Sequence, residues 1–448
     1  MNKKNFIFFL IAIFLTNCSF DNKTGIWGGS EEEKRQILDI EKQQKKIIKV
    51  DKIYSSDRSY SKEKSLNQNI TLTKPTKNLV WEVSALNNQN FLGNLYLSSI
   101  DNTFLKKKIG KNKFSISKNN SSLLAVENNL IFSDDAGTIF NIYEDGKIKW
   151  KQNIYKKIFK KIYKNLALSI YKNIIYVSDN IGFVYAINIE NGEIIWIKNH
   201  GVSLKSNIKI FNNKIFLIDH DNKIICLSAK DGSIIWNIFS ISSFIKSQNY
   251  LSLAVTRKGD LFAINSSADL FKISSIDGKI YWSSNLSSSM LADASDFFES
   301  SEIVVVDDVI IFSAESSIYS YNIATGIMNW QSEPSSAGTP IVVEKNIYVI
   351  TKNGFFVILD KDTGKVTSST NILKILKRKK QKTTITGFIM GSGKVYASTL
   401  NGYLIVSSAA TGKVESFKKI GDSITITPII NSGKLYILTE DSRIIGLN

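Results

Sequence analysis

"IIYVSDNIGFVYAINIENGEIIW", Ile174 to Trp196, decides the fold. A run of β-branched and aromatic residues, a turn, a second run, an Asn-Gly turn and a third run closing on tryptophan read as three antiparallel strands joined by hairpins. Asn191-Gly192 can supply the pair of positive-φ residues that a two-residue hairpin turn needs.

The same ending recurs along the chain. Gly followed four residues later by Trp occurs in "DGKIKW" (Trp150), "NGEIIW" (Trp196), "DGSIIW" (Trp236), "DGKIYW" (Trp282) and "TGIMNW" (Trp330). Two further units, "TGKVTS" at Gly364 and "TGKVES" at Gly412, keep the glycine and lose the indole. The repeat length of roughly 40–48 residues belongs to four-stranded propeller blades. Alternation with period two, punctuated by Asn-Gly, Asp-Gly and Thr-Gly, excludes a solenoid of helix pairs. A fourth strand lies upstream of each unit, as in "GTPIVVE" and "SITITPIIN".

The final unit, "KLYILTEDSRIIGLN", supplies two strands and then the sequence stops. Its outer edge would leave unpaired N–H and C=O groups. The segment "NTFLKKKIG", residues 102–110, can fill that place. Seven full units plus one closed by both ends of the repeat region make an all-β, eight-bladed propeller of four-stranded antiparallel blades. An indole at the end of each outer strand then wedges against the neighbouring blade, a packing role rather than ligand stacking.

The N-terminus has a different character. Lys3 and Lys4 precede the apolar run "FIFFLIAIFL", Phe6 to Leu15, which is too short to span a bilayer and suits a secretory signal. Residues 19 to about 75 are polar and charged, with a weak apolar stripe at Ile37, Ile40, Ile47 and Ile48, and read as a tether. Between Trp150 and Ile174, "QNIYKKIFKKIYKNL" repeats apolar pairs every four residues, and that period predicts a basic amphipathic helix over 153–165.

The formal charge of +17 is dispersed over many loops, and no helix-turn-helix, zinc-finger or RNA-binding signature accompanies it, so no nucleic-acid partner is expected. Cys226, in the apolar run "KIICLS", reads as a small buried thiol on a strand. His200 and His220 lack metal-ligand spacing, adjacent cysteines are absent, and no unit carries a clustered Asp/Glu/Asn set like a calcium loop. No metal, cofactor or small-molecule substrate is expected.

Units such as "YAINIENGEIIW" resemble the pyrroloquinoline-quinone-type propeller repeat over roughly residues 76–448. Two families share it: quinone-dependent dehydrogenases, which hold the cofactor on the propeller axis, and the BamB lipoproteins, which assist insertion of β-barrel proteins into the outer membrane. The layout favours the second. "LTNC" resembles a lipobox, which implies a signal peptide over 1–17, palmitate-type acylation at Cys18, a lipidated polar tether over 18–75 and a propeller over 76–448. Ser19 stands where an aspartate would retain the protein in the inner membrane, so sorting to the periplasmic face of the outer membrane is permitted.

The resemblance further implies a non-catalytic scaffold whose loops bind the POTRA domains of the central barrel-insertion protein. Aligned by repeat, the apolar-and-basic loop falls on "SSFIKSQ", with Ile245 and Lys246, and the acidic loop on "ADASDFF", with Asp296 and Phe298. Lys246 replaces the family's arginine, and Phe298 replaces a second aspartate. A propeller binding a polysaccharide or small ligand, and a quinone-dependent dehydrogenase, are the alternative readings.

Overall fold

Gly-x-x-x-Trp acquires its physical meaning once the strands are placed. The computed structural model describes residues 60–114, 122–159, 161–240, 251–286, 299–379 and 383–448. Among them the strands group into eight antiparallel sheets, seven of which run from an innermost to an outermost strand in chain order. In blade 2 these are Leu166–Tyr171, Ile174–Asp179, Phe183–Asn188 and Ile194–Asn199, so the opening stretch contributes the last three. The short first strands of neighbouring blades, such as Lys209–Phe211 and Leu253–Val255, approach one another around the axis.

Closure of the ring occurs as the sequence predicts. Thr103–Lys108 pairs antiparallel with Arg443–Leu447 and becomes the outer strand of blade 8. Gly446 leaves room for the Phe104 ring, which also packs edge-on against Tyr436. Across the seam, the Glu144 carboxylate of blade 1 accepts hydrogen bonds from Lys434 Nζ (2.5 Å) and Tyr436 Oη (2.9 Å) of blade 8.

Each tryptophan spans two blades. Trp150 Nε1 donates to Ile189 O (2.8 Å), Trp196 to Ala229 O (3.2 Å), Trp282 to Ile323 O (3.0 Å) and Trp330 to Lys361 O (2.9 Å), always in the next blade. Each ring lies over that blade's turn glycine: a Cβ on Gly192, Gly232, Gly326 or Gly364 would sit 2.4–2.7 Å from an indole carbon. The glycine of one unit therefore serves the tryptophan of the unit before it. One residue ahead of the tryptophan position, the outer strand bulges, as the register shifts in blades 2, 3 and 4 show. The bulge leaves two successive residues facing outward, which is why Ile234 and Ile235 are both exposed.

Blade 6 lacks the indole and is covered differently. Lys64 forms an antiparallel bridge with Ser369, in both directions at 2.9 Å, while Ser368 Oγ donates to Lys64 O and Ser369 Oγ to Tyr60 O. The small side chains at the vacated position give the backbone of residues 60–64 room to approach. Ile70 N continues to Ala410 O of blade 7, and Leu66, Ile70 and Leu72 pack on the core.

Two local expectations need correction. Only Gly192 takes the left-handed conformation in the Asn191-Gly192 turn; the two-residue pair with positive φ is Lys172-Asn173, between the first and second strands of blade 2. The predicted helix over 153–165 is absent among the described residues, apart from a three-residue 3-10 turn at Lys157–Phe159. Tertiary contacts override the period. Tyr155 Oη donates to Asp179 (2.5 Å), Lys164 packs its ammonium over the Tyr155 ring, and the outer strand continues through Asn153.

Candidate partner-binding face

One end of the axis is ringed by the chain itself. Residues 78–98, an Asn-rich stretch without periodicity, run around the inner strands at the end where each first strand turns into the second. Asn78 bonds to Ile430 O of blade 8, Val80–Trp81 adds a short strand to blade 1, and Glu82 O accepts from Ile170 N of blade 2. Leu95 N reaches Met390 O of blade 7 and Ser98 N reaches Gly433 O of blade 8, closing the circuit.

Between these ends the segment packs on the inner strands of blades 3, 4 and 5. Asn90, fully buried and left-handed at φ 55°, donates from Nδ2 to Leu253 O (2.9 Å) and Ile303 O (2.8 Å), in blades 4 and 5. Its Oδ1 accepts from Lys209 Nζ of blade 3 at 2.5 Å. Asparagine tolerates this conformation and presents a donor and an acceptor at once, so one amide ties three blades. Burial pushes the Lys209 ammonium down to about 8, partly opposed by the Glu302 carboxylate.

A second polar layer is centred on Glu302. Its carboxylate accepts from Asn207 Nδ2, from Ser252 Oγ at 2.8 Å and from Ser84 Oγ at 3.4 Å. Ser252 directly precedes the first strand of blade 4, and Asn207 and Glu302 each stand one residue further back from the first strands of blades 3 and 5.

The loops joining one blade to the next emerge on the opposite face from the first-strand turns. Cys18, Ile245, Lys246, Asp296 and Phe298 lie outside the described residues. The stems of the two candidate loops are described, and they flank the same turn of blade 4. Asn265 Nδ2 donates to Ser240 Oγ (3.0 Å) on one side, and Leu286 N donates to Ala268 O (2.9 Å) on the other. Between blades 5 and 6 a cleft of about 200 Å³ is lined by serines, including Ser300, Ser313 and Ser336, and by Glu299 and Lys352, an ion pair at 2.6 Å.

The remaining candidates are structural in position. Cys226 is fully buried on strand Ile224–Ser228, and burial pushes its thiol up to about 12. His200 Nε2 is buried without a hydrogen-bond partner, and burial, Lys223 and Lys198 lower its pKa. Among the described residues no three His, Cys, Asp or Glu side chains are grouped to hold a metal ion. What the sequence reading missed is the axial segment; its signal is the cluster Asn87, Asn88, Asn90 and Asn94, amides that bond inner-strand or adjoining backbone.

Comparison with known proteins places this geometry. The family described as "Outer membrane protein assembly factor BamB" matches residues 67–237 and 169–370, more than half of the chain. The chain belongs to this family. Among curated relatives, the BamB of Moranella endobia (strain PCIT) is 23% identical over 222 residues, covering 44% of this chain and 55% of the relative. The BamB of Yersinia pestis is 20% identical over 245 residues, covering 49% and 58%. The chain thus spans somewhat over half the length of these BamB relatives. In structure it resembles BamB from Moraxella catarrhalis (TM-score 0.61, 12% identity, 76% of this chain and 99% of that one). A quinohemoprotein alcohol dehydrogenase from Comamonas testosteroni is similarly close (TM-score 0.60, 12% identity, 80% and 76%), a likeness of fold alone.

Proposed function

We propose that this BamB-family chain is a non-catalytic, lipid-anchored docking subunit for assembly of outer-membrane β-barrel proteins. It works at the periplasmic face of the outer membrane, held there by acyl chains on Cys18 and the tether that follows. Its partner is the POTRA-bearing barrel-insertion protein, engaged through Ile245 and Lys246 on one loop and Asp296 and Phe298 on the next. Apolar and aromatic anchors with a few orienting charges have the composition of an interface centre.

The observation that carries this reading is the segment bound to the inner strands at one end of the axis. Asn90, Lys209 and the backbone of residues 87–90 take the space between the inner strands of blades 3, 4 and 5. A planar cofactor at this end of the axis would have to displace this hydrogen-bonded segment, which argues against the dehydrogenase reading despite the shared fold. The convergence of the two loop stems on the 265–269 turn supports a common docking rim. The relatives' name, outer membrane protein assembly factor, is consistent with that role.

Purification of the lipidated protein from membranes tests the proposal. The expected result is recovery of the barrel-insertion protein in stoichiometric amount. Recovery of a glycan or a quinone chromophore in its place would favour one of the alternatives.

A further inference from the structure

We propose that Glu302 is a positioning residue for the docking rim: its carboxylate clamps the segments entering blades 3, 4 and 5 to one another and to the axial segment. The inference rests on the docking function above and assigns it a residue that no sequence signal marks.

Three observations carry it. First, the donors come from separate parts of the chain: Asn207 lies 95 residues away, Ser252 lies 50 residues away, and Ser84 belongs to the axial segment. Second, the clamp is continued through the backbone. Ile303 N donates to Ser252 Oγ (2.7 Å), Leu251 N donates to Lys205 O (2.6 Å), and Ser206 bridges Leu251 in parallel. The Ser252 hydroxyl therefore accepts from one neighbour while donating to the carboxylate, and its orientation is fixed. Third, the clamped residues are stems. Ser252 and Glu302 each lie within a few residues of a candidate docking segment in sequence, so the carboxylate fixes the described residues that follow both segments.

The chemistry explains why an anionic acceptor stands there. Asn207, Ser252 and Ser84 present N–H and O–H donors, and an ionised carboxylate has the acceptor sites for all three. An amide in its place would keep one acceptor oxygen and turn a second donor group toward Asn207 or Ser252. Hydrogen bonds to a charged acceptor are the stronger class, and here they join three blades without a covalent link. The Lys209 ammonium in the neighbouring layer adds attraction to the carboxylate.

The test compares Glu302→Ala, Glu302→Gln and the loop double variant Ile245→Ala/Asp296→Ala in the full-length protein. Binding to the purified POTRA array, urea unfolding and amide hydrogen exchange at Leu251 and Ile303 are measured for each. The account expects Glu302→Ala to weaken binding about tenfold, a change of about 1.4 kcal/mol. Exchange at Leu251 and Ile303 should rise while the protection of blade 7 stays unchanged. Glu302→Gln should fall between Ala and the native residue. If the loop variant loses binding and Glu302→Ala binds like the native protein, the clamp is overturned and docking stands. A loss of affinity accompanied by exchange rising equally in all blades would make Glu302 a general stability residue and also overturn it. If the loop variant binds normally, the docking reading fails and takes this inference with it. Should Glu302→Ala not fold, Asn207→Ala removes one donor and carries the same expectations.

Discussion

Replacing Trp330 by alanine tests the reading of the repeat at its best-buried example. The Trp330 side chain is 7% exposed, its Nε1 donates to Lys361 O, and its ring covers Gly364 of the next blade. An indole burying about 200 Å² at about 25 cal/mol per Å² gives about 5 kcal/mol as an upper value, and truncations of this kind cost about 3–5 kcal/mol. We expect about 4 kcal/mol for Trp330→Ala and about 2 kcal/mol for Trp196→Ala, whose ring is only half-buried. Gly364→Ala approaches the contact from the other side. Gly364 has φ +68°, and an added Cβ would lie 2.4 Å from Trp330 Cε3. The backbone term costs about 1–2 kcal/mol and the overlap about 1–3 kcal/mol. In the Trp330→Ala background the overlap disappears and only the backbone term remains. Urea unfolding of the two single variants and the double variant should therefore reveal a coupling of about 1–3 kcal/mol. Additivity within about 0.5 kcal/mol would refute the inter-blade staple.

Further perturbations separate the other parts of the account. Cys18→Ser should release the protein from outer membranes after a high-salt wash, since stable anchoring needs more than one acyl chain; full retention would reject the lipid anchor. Deleting residues 1–110 removes the outer strand of blade 8 and the axial segment, and should cause aggregation, whereas deleting 19–59 should leave the urea midpoint unchanged. Cys226 should resist alkylation at pH 8 until the protein is unfolded, because its thiol stays protonated and buried; rapid labelling in the native state would contradict its placement. Lys209 has a folded-state pKa of about 8, below its ordinary value, so the unfolded chain binds more protons between that pH and the unfolded pKa of about 10.4. Stability should rise with pH across this window, and Lys209→Met should remove that rise.

The parts of the fold that were legible in the sequence are those with a period or a punctuation mark. Gly-x-x-x-Trp, the alternating runs and the missing outer strand at the C-terminus sufficed to count blades and to assign residues 102–110 to the seam. Three features were not legible. The bulge before each tryptophan leaves no residue-type signature, because positions such as Ile195 and Tyr281 are ordinary strand formers. The axial segment has no period because its Asn side chains satisfy carbonyls of several blades, a pattern set by tertiary positions and not by its own backbone. The lysine-rich stretch after Trp150 shows the reverse case, a clear helical period overruled by Tyr155 bonding Asp179 of blade 2 and by Lys164 packing on the Tyr155 and Phe114 rings. For the candidate site, repeat alignment proposes Ile245, Lys246, Asp296 and Phe298, which lie outside the described residues, and the structure adds the neighbouring segments that Glu302 joins.

The central claim is docking through the rim of blades 3 to 5, and binding of purified components tests it most directly. Titration of the POTRA array of the barrel-insertion protein with the native chain and with Ile245→Ala/Asp296→Ala should show saturable binding lost in the double variant. The urea midpoints should be identical, since neither side chain is assigned a part in the packing between blades. Undiminished binding by the double variant would contradict the account and place the docking surface elsewhere on the propeller.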